Sequence, residues 1–419
     1  MIFNNSIRVV DAALMIDDLP VYAIARELET PVYVYSLKRI QENYRRLKAA
    51  FAPVGARLHY SAKANSNAAI LRTLIDKGAG IDAVSGGEIA RTLRAGAAAQ
   101  DIVFAGVGKT VAEIGYAIER GIGWFNVENE LELQYINEAA SSIGTEKVQV
   151  ALRFNPEVRA DTHPQISTGH GGAKFGLTAA AIGKALAGAE RYPNLSICGV
   201  HLHIGSQLGD SAATLQALAK TRQLIKPYPN IHTINLGGGL PVAYRQDQSI
   251  PSLEELVSEI APHVHGYQVL LEPGRAIVAD AGILVATVLY VKEQAGKIFY
   301  IIDASMTELI RPALYGAQHE IVPLTQPDDG WVVAQVVGPV CESTDVLASD
   351  REIARLQVGD RVAIMTAGAY GMAMASNYNS RLRPAEAVVA VDGDSWSVSR
   401  RRETIGDLLY ANVSESRKV

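Results

Sequence analysis

The sequence predicts an α/β protein with an added all-β part, namely a (β/α)8 TIM-type barrel with a C-terminal antiparallel β domain joined by N-terminal segments. Three observations lead to this fold class. Short apolar strands alternate with helical stretches over most of the chain, polar residues follow the ends of several of these strands, and the pattern changes after Gly282. Alternation of strand and helix is typical of parallel sheets with right-handed crossovers.

About eight strand–helix units over roughly 250 residues match the usual size of a closed barrel. The predicted strands are 57–62, 80–84, 101–105, 124–127, 148–154, 197–204, 233–236 and 267–271. The predicted helices are 67–77, 87–94, 111–120, 130–141, 179–191, 212–224 and 253–263. An open doubly wound sheet is the rival fold, but it would carry its ligand at one glycine-rich turn near the first strand. Polar residues after many different strands favour the barrel.

The part of the chain after Gly282 consists of alternating β-type runs separated by turn signals. Its predicted strands are 283–292, 298–303, 331–337, 361–365 and 387–391. The run 31–35 is one more predicted strand, which we expect to join this β domain. We therefore expect an N-terminal segment 1–36 that packs with the β domain, a barrel over 37–281 and the β domain itself over 282–419.

The composition argues against several classes of protein. Hydrophobic residues make up 48% of the chain and charged residues 20%, as in soluble globular proteins. The net charge of -5 and the lack of a Lys/Arg stripe argue against nucleic-acid binding. Cys198 and Cys341 are too few and too far apart for a disulfide framework. With no signal peptide and no membrane-spanning run in the sequence, we expect a cytoplasmic protein.

Lys63 closes the first predicted barrel strand, and barrel enzymes carry their chemistry at these strand ends. Burial at the end of an apolar strand lowers the pKa of a lysine. The neutral amine is then a nucleophile toward an aldehyde, as Schiff-base lysines require. The alternative is a lysine that simply emerges into solvent.

Two histidines lie on one face of the sixth predicted strand, because side chains alternate with a period of two. His203 is nearer the strand end, where it can cover a flat cofactor ring. His201, one layer lower, is interpreted as a core histidine. A metal pair is a third reading, but few carboxylates lie close enough in sequence to complete the site.

The last two predicted strands end in groups that suit a phosphorylated cofactor. Three glycines at 237–239 can present backbone N–H groups to an anion, although a flexible turn is the alternative. Glu272 can keep a heterocyclic nitrogen protonated, and Arg275 can bind phosphate or carboxylate, unless both form a plain ion pair. Together with Lys63 and His203 these groups describe a pyridoxal-phosphate site. Further polar groups on the same rim are Asp82, Glu88, Arg153 and Asn155.

On these residues the chain resembles the fold-type III pyridoxal-phosphate decarboxylases, the group that acts on ornithine, arginine and diaminopimelate. The motifs shared by the whole group are YSAKAN at 60–65, DAVSGGE at 82–88, HIGSQ at 203–207, GGG at 237–239 and EPGR at 272–275. The motifs typical of its diaminopimelate-specific members are IRPALY at 310–315, GPVCES at 338–343, GAYG at 368–371 and NYNSR at 377–381. The resemblance implies pyridoxal phosphate as cofactor. It also implies decarboxylation of meso-2,6-diaminopimelate at its D-centre to L-lysine, the last step of lysine biosynthesis.

The resemblance also implies roles for individual residues. Lys63 binds the cofactor covalently, His203 stacks on its ring and Glu272 bonds its nitrogen. Further implied cofactor contacts are Asp82, Ser206, Gly238, Gly239, Gly274, Arg275 and Tyr370. Implied substrate contacts are Arg275, Arg311, Tyr315, Glu342 and Tyr370, with arginine for a distal carboxylate and Glu342 for a distal ammonium. Cys341 is the implied proton donor; because it and Glu342 come from the partner subunit, we expect a homodimer.

Three other functions remain as alternatives. An amino-acid racemase of the same architecture would place an arginine, not Glu272, at the ring nitrogen. A decarboxylase of another basic amino acid or of a siderophore intermediate would in most cases need no group like Arg311 for a distal carboxylate. A non-catalytic carrier of the cofactor is usually a barrel alone. The loop 155–174, rich in glycine and histidine, is long enough to suggest a lid.

Overall fold

A computed structural model of the chain describes residues 3–145, 147–158, 169, 172–245, 247–325 and 330–410. The chain forms two compact units. The barrel unit consists of Ile40–Ala243 and Gln248–Ile277. The β unit consists of Met1–Arg39, Tyr244–Asp247 and Val278–Val419.

The N-terminal elements begin with a small antiparallel sheet and continue with a strand of the large sheet in the β unit. These elements are β1 (Ile7–Val10), β2 (Ala13–Ile16), β3 (Leu19–Pro20), α1 (Val21–Leu28), β4 (Val32–Ser36) and α2 (Leu37–Ala50). All five residues of β4 are buried, because this strand lies between two others in the large sheet.

The barrel unit contains a closed ring of eight parallel strands. The strands are β5 (Arg57–Ser61), β6 (Gly80–Ala83), β7 (Ile102–Phe104), β8 (Trp124–Val127), β9 (Val148–Phe154), β10 (Leu195–Leu202), β11 (Thr233–Asn235) and β12 (Gln268–Leu271). The helices are α3 (Ala68–Ile75), α4 (Gly86–Arg94), α5 (Val111–Glu119), α6 (Glu130–Ile143), α7 (Ala179–Ala187), α8 (Ala212–Ile225), α9 (Leu253–Val264) and α10 (Arg275–Val278). The strand order runs from β5 to β12 and closes by pairing β12 with β5. The predicted barrel is therefore confirmed.

Most of the barrel helices begin where a polar side chain accepts a hydrogen bond from the first turn. Such an N-cap satisfies a backbone N–H that has no partner inside the helix. The capping residues are Asn67, Ser85, Thr110, Asn129, Thr178 and Ser252. These caps fix the length of the loops that follow the barrel strands, and the predicted site residues lie at these same strand ends.

Apolar side chains from five strands meet in one layer of the barrel. They are Val103, Trp124, Ala151, Cys198 and Leu270. Burial raises the pKa of the Cys198 thiol, which therefore acts as a small hydrophobic side chain.

The rest of the β unit forms one large sheet. Its elements are β13 (Gly282–Gln294), β14 (Lys297–Ile302), α11 (Arg311–Tyr315), β15 (Ile321–Pro323), β16 (Trp331–Val337), β17 (Val346–Ala354), β18 (Arg361–Ile364), β19 (Ala385–Val389), β20 (Trp396–Arg400) and α12 (Ile405–Leu409). The main strand order is β17-β16-β14-β13-β4-β19-β20; β18 also pairs with β13, and β15 pairs with β18.

The predicted antiparallel sheet is mostly antiparallel but has two parallel pairings, β14 with β16 and β4 with β19. The sequence also missed β15, β17 and β20. Strand β17 carries Asp350, Arg351 and Glu352 in its middle, where the burial pattern shows exposed and half-exposed positions. Charged residues on the solvent side of an edge strand hide the apolar alternation from a sequence search.

Two further predictions concern a loop expected to act as a lid and the absence of membrane-spanning segments. Most of the predicted lid 155–174 lies outside the described residues. In the part of the chain that the structure describes, none of the helices has the length and apolar character needed to cross a bilayer.

A buried ion pair joins the end of one barrel strand to the helix after the next. Lys109 Nζ donates to Glu132 Oε1 (2.5 Å) and to the carbonyl oxygens of Gly106 (2.9 Å) and Asn126 (2.7 Å). The lysine side chain is fully buried and that of Glu132 is 4% exposed. Burial raises the pKa of Glu132, and the charge of Lys109 opposes that rise.

Replacing Lys109 with methionine is expected to lower the free energy of unfolding by about 3–5 kcal/mol, because a buried carboxylate loses its partner. Lys184→Met is the matched control. Lys184 pairs with Glu130, which lies in the same turn of α6 as Glu132, but the Lys184 side chain is 65% exposed. The Lys184→Met substitution should lower the free energy of unfolding by about 0–1 kcal/mol. Denaturant titration measures both values, and equal losses would contradict the account.

Candidate active site

Lys63 stands directly after β5 in a short 3-10 turn, Ala62–Ala64. Its Nζ lies 4.0 Å from Asp82 Oδ2, at the end of the neighbouring strand β6. The lysine side chain is 41% exposed, whereas Asp82 is fully buried. The lysine side chain therefore stays partly exposed although it lies beside a buried carboxylate.

Asp82 is a buried carboxyl beside this amine. Its Oδ2 accepts a hydrogen bond from Ser61 Oγ (2.6 Å), and its Oδ1 has no hydrogen-bond partner among the described residues. Burial and the nearby charge of Glu272 raise the pKa of Asp82, while Lys63 and Ser61 act in the opposite direction. An unpartnered buried oxygen next to Lys63 leaves room for a donor on a bound molecule.

Glu272 lies at the end of β12 and is held by three side chains. Asn126 Nδ2 and Asn235 Nδ2 each donate to its Oε1 at 2.7 Å, and His201 Nε2 is 3.2 Å from its Oε2. Burial by itself would raise the pKa of Glu272. Nearby His201 and Lys63, together with the hydrogen bond from Asn235, outweigh burial and hold that pKa below its usual value. The buried carboxylate is thus ionised.

These three partners correct the interpretation of His201 and extend the predicted site. His201 is buried, as expected, but it is a partner of Glu272 rather than an unrelated core residue. Asn126 and Asn235 were not among the predicted site residues. Both are polar residues inside otherwise apolar barrel strands, which is the signal that could have found them.

His203 follows β10 and contacts the glycine loop after β11. The backbone N–H of Gly238 donates to His203 Nδ1 (3.2 Å). Burial lowers the pKa of His203 well below its usual value, and the charges of Lys63, Arg153 and His201 lower it further. A neutral imidazole is therefore present, which agrees with the acceptor role of Nδ1.

The glycine loop is closely packed against its neighbours. A Cβ at Gly238 would lie 2.6 Å from the carbonyl oxygen of Glu272, and one at Gly239 would lie 2.6 Å from that of Gly205. Gly239 also has a φ of +101°, which side chains rarely allow. A side chain at Gly274 would press on Ala64 and Ser61 at 3.0–3.1 Å. Gly238 and Gly239 therefore require glycine, because backbone oxygens leave no room for a Cβ, and a Cβ at Gly274 would fit only if its neighbours shifted.

Arg275 supplies a buried cation beside this loop. Its Nε and one terminal nitrogen donate to Ser206 Oγ at 3.3 and 3.1 Å. A guanidinium, a hydroxyl and a bare glycine backbone form a donor set suited to phosphate. With the Lys63 amine and the ionised Glu272, the residues of the barrel unit fit pyridoxal phosphate.

Another buried carboxylate, Glu128, holds Arg153 at the same end of the barrel. The two side chains form an ion pair, and Glu128 Oε2 also accepts from the backbone N–H of Gly176 (2.8 Å). The guanidinium of Arg153 lies over the ring of Phe175 at 4.6 Å. The sequence singled out Arg153 without a role, and missed Glu128.

In the β unit, Arg311 and Tyr315 stand one turn apart on α11, so they share one face of the helix. Arg311 is buried, although it is a charged side chain. One guanidinium nitrogen is 2.8 Å from His319 Nε2, and the group lies over the ring of Tyr244 at 4.4 Å.

Cys341 and Glu342 lie in a tight turn after β16, and both side chains are exposed in the single chain. The buried Asp345 holds this turn, because its Oδ2 accepts from the backbone N–H of Val340 (2.8 Å) and its Oδ1 from that of Met306 (2.6 Å). The backbone N–H of Cys341 donates to Asn379 Oδ1 (2.9 Å). A fixed turn thus presents the thiol outward.

Tyr370 lies in the GAYG motif and has a φ of +56°. A bulky residue in this backbone region is strained, and such strain concentrates at functional sites. The neighbouring Gly371 is packed on the hydroxyl of Tyr33, where a Cβ would lie 2.5 Å from that oxygen.

Lys63, Asp82, His203, Ser206, Gly238, Gly239, Glu272, Gly274 and Arg275 all belong to the barrel unit. Arg311, Tyr315, Cys341, Glu342 and Tyr370 all belong to the β unit. A cavity of about 650 Å³ in the barrel unit is a different feature. It is lined by α8, α9 and the ends of three strands, and Gly238 is the one predicted site residue on its wall.

Comparison with known proteins adds independent findings. Residues 37–279 match the family model described as the pyridoxal binding domain of pyridoxal-dependent decarboxylases. A relative from Zymomonas mobilis, named diaminopimelate decarboxylase, is 41% identical over 95% of this chain and 96% of its own length.

Two solved structures show the same similarity. One is the diaminopimelate decarboxylase of M. jannaschii in complex with L-lysine, with a TM-score of 0.92, 37% identity and 99% of each chain covered. The other is that of Helicobacter pylori, also with L-lysine, with a TM-score of 0.88, 37% identity, and 93% of this chain and 98% of that chain covered.

Proposed function

This chain belongs to the pyridoxal-dependent decarboxylases, and from that membership we propose that it converts meso-diaminopimelate to L-lysine and CO2. The observation that carries this proposal is the buried carboxyl group of Glu272, held by Asn126 and Asn235, at the same end of the barrel as Lys63. A racemase of this architecture would be expected to carry a cation at that position. Glu272 therefore favours a decarboxylase.

When bound, pyridoxal phosphate supplies an electron-withdrawing ring that accepts the electron pair left behind by CO2. Lys63 would hold the cofactor covalently through its amine and would serve in product release. Glu272, held by Asn126 and Asn235 and close to His201, would keep a proton on the ring nitrogen. His203, in its neutral form, would lie against the ring. Ser206, Gly238, Gly239 and Arg275 would hold the phosphate.

The β unit supplies the recognition of the distal end of the substrate. Meso-diaminopimelate carries a second amino-acid group, which needs one fixed cation and one fixed anion. Arg311 offers a planar fork for the distal carboxylate, with Tyr315 beside it on α11. Glu342 binds the distal ammonium, and Tyr370 contacts the phosphate or the substrate carboxylate. This recognition of the L-centre leaves the D-centre to react.

Cys341 donates the proton that replaces CO2 on the substrate carbon. Its exposure in the single chain fits a residue offered to the site of a second copy. We infer a homodimer in which each site receives Cys341 and Glu342 of the other protomer. We also infer a cytoplasmic location, because the two free cysteines suit a reducing compartment.

Subunit mixing tests the shared site. Lys63→Ala and Cys341→Ala variants are each expected to be inactive alone. Produced together in one cell, they should form hybrid dimers with one intact site and recover about one quarter of the wild-type activity. No recovery in dimers shown by mass measurement to be hybrids would contradict a site shared between protomers.

A substrate panel tests the function itself. CO2 release by the purified enzyme is measured with meso-diaminopimelate, L-ornithine, L-arginine and L-lysine. We expect meso-diaminopimelate to give the highest kcat/KM, because only this substrate carries the distal carboxylate. A higher value for an amine without that carboxylate would support the alternative of another basic-amino-acid decarboxylase.

A further inference from the structure

The buried guanidinium of Arg311 is fixed by two aromatic side chains of the β unit. Tyr244 lies beneath it, with 4.4 Å between the guanidinium carbon and the ring centroid. His319 lies at its edge, with 2.8 Å between Nε2 and a terminal nitrogen of the arginine. The rings of Tyr244 and His319 meet edge to face at 5.1 Å. We call these three residues the Arg311 clamp.

The local backbone explains how His319 reaches Arg311 from only eight residues further along the chain. Helix α11 ends after Tyr315, and Gly316 adopts the left-handed conformation with a φ of +60°. Its N–H donates to the carbonyl oxygen of Pro312 (2.9 Å), which turns the chain back toward the start of the helix. His319 is fully buried just before β15.

The hydrogen bonds of His319 determine its protonation state. Its Nδ1 is 2.8 Å from the carbonyl oxygen of Met365, which can only accept, so Nδ1 carries the proton. Its Nε2 faces the guanidinium of Arg311, which can only donate, so Nε2 accepts. The imidazole is therefore the neutral Nδ1–H tautomer. A second proton would place an N–H against the N–H of the arginine.

In this arrangement the partner that restrains the arginine is itself uncharged. A carboxylate in the place of His319 would cancel much of the positive charge that a substrate carboxylate needs. A neutral imidazole accepts a hydrogen bond from one N–H of the guanidinium and brings no negative charge next to it. The tyrosine face sets the plane of the guanidinium, and the histidine sets its rotation within that plane. A cation oriented in advance loses less conformational entropy when its ligand binds.

We propose that His319, as the neutral Nδ1–H tautomer, and Tyr244 are positioning residues that orient Arg311 for the distal carboxylate of the substrate. The inference rests on the proposed function, in which Arg311 binds that carboxylate. It adds two residues outside the sets predicted from the sequence, and it assigns them an effect on substrate selectivity rather than on the bond-breaking step.

L-lysine and cadaverine separate this role from a general structural role. The two molecules differ by one carboxylate, which is the group that L-lysine retains from the distal end of the substrate. Their dissociation constants are measured by calorimetry on the holoenzyme, so the readout does not depend on turnover. Kinetics with meso-diaminopimelate then separate KM from kcat.

Two substitutions of His319 form the matched pair. His319→Leu removes both the donor and the acceptor at similar volume, whereas His319→Gln keeps an amide that can donate and accept. We expect His319→Leu to raise the dissociation constant of L-lysine and the KM for meso-diaminopimelate about tenfold or more, while kcat changes less. The dissociation constant of cadaverine should stay within about twofold of the wild-type value, and His319→Gln should recover most of the loss.

Tyr244→Leu gives a second test that leaves the buried histidine in place. The substitution should weaken the binding of L-lysine more than that of cadaverine, which is also the result expected for His319→Leu. Tyr22→Leu is its control, because Tyr22 lies under Arg361 in a similar stack at 4.8 Å in another part of the β unit. This control should leave both dissociation constants unchanged.

Two results would overturn the inference while the proposed function stands. One is a folded His319→Leu enzyme that binds L-lysine as well as the wild type does. The other is an equal loss of affinity for L-lysine and for cadaverine, which would indicate general damage to the site. A wild-type enzyme without activity on meso-diaminopimelate, or an Arg311→Leu variant with unchanged L-lysine binding, would instead refute the proposed function and the inference with it.

Discussion

Replacing Lys63 with alanine is expected to abolish covalent attachment of pyridoxal phosphate and to lower the rate of decarboxylation on the order of 10³-fold. Lys63 Nζ lies beside the buried carboxyl of Asp82, and the lysine side chain is 41% exposed. The loss follows because one amine both binds the cofactor and moves protons when the substrate enters and the product leaves.

Borohydride reduction followed by mass spectrometry measures the attachment without turnover. The wild-type protein should retain the mass of the cofactor on the peptide that contains Lys63, and the variant should retain none. Lys184→Ala is the control, since this lysine is 65% exposed and pairs with Glu130 on the surface. Retention of cofactor by the Lys63→Ala protein at another lysine would refute the assignment.

Replacing Glu272 with glutamine is expected to lower kcat about 10²–10³-fold, with a KM within a few-fold of the wild-type value. The amide oxygen can keep the hydrogen bonds from Asn126 and Asn235, so the local packing is preserved. The amide N–H₂ carries no charge and cannot stabilise a proton on the ring nitrogen. The electron sink of the cofactor then weakens, and this sink serves the chemical step rather than substrate binding.

Glu386→Gln is the matched control for this substitution. Glu386 is also buried and accepts a hydrogen bond from Tyr35 (2.8 Å), but it lies in β19 of the β unit. The kcat of the Glu386→Gln enzyme should stay within about twofold of the wild-type value. A Glu272→Gln enzyme with full cofactor occupancy and an undiminished kcat would show that the ionised carboxylate is not part of the chemistry.

The barrel could be predicted because its strands are buried on both faces and so appear as continuous apolar runs. β8 and β9 begin and end at the predicted residues for this reason. The strands of the β unit were harder to predict from the sequence. β17 has charged residues on an exposed side, and the parallel pairings of β14 and β4 join strands that are far apart in sequence. Such long-range pairing leaves no local pattern.

The site shows the same limit at the level of side chains. The sequence predicted Lys63 and Glu272 because each closes a strand. It could not predict that Asn126, His201 and Asn235 converge on Glu272, because the folded barrel brings together residues that are 37 to 146 positions apart in sequence. A polar residue within an apolar strand is the trace that such a network leaves in the sequence.

The central claim is that Lys63-bound pyridoxal phosphate serves the decarboxylation of meso-diaminopimelate at its D-centre. The most direct test is the amount and chirality of the product formed by the purified holoenzyme from that substrate alone. We predict L-lysine and CO2 in equal amounts, with no D-lysine and no cadaverine. D-lysine as the product, or meso-diaminopimelate consumed without release of CO2, would contradict the account.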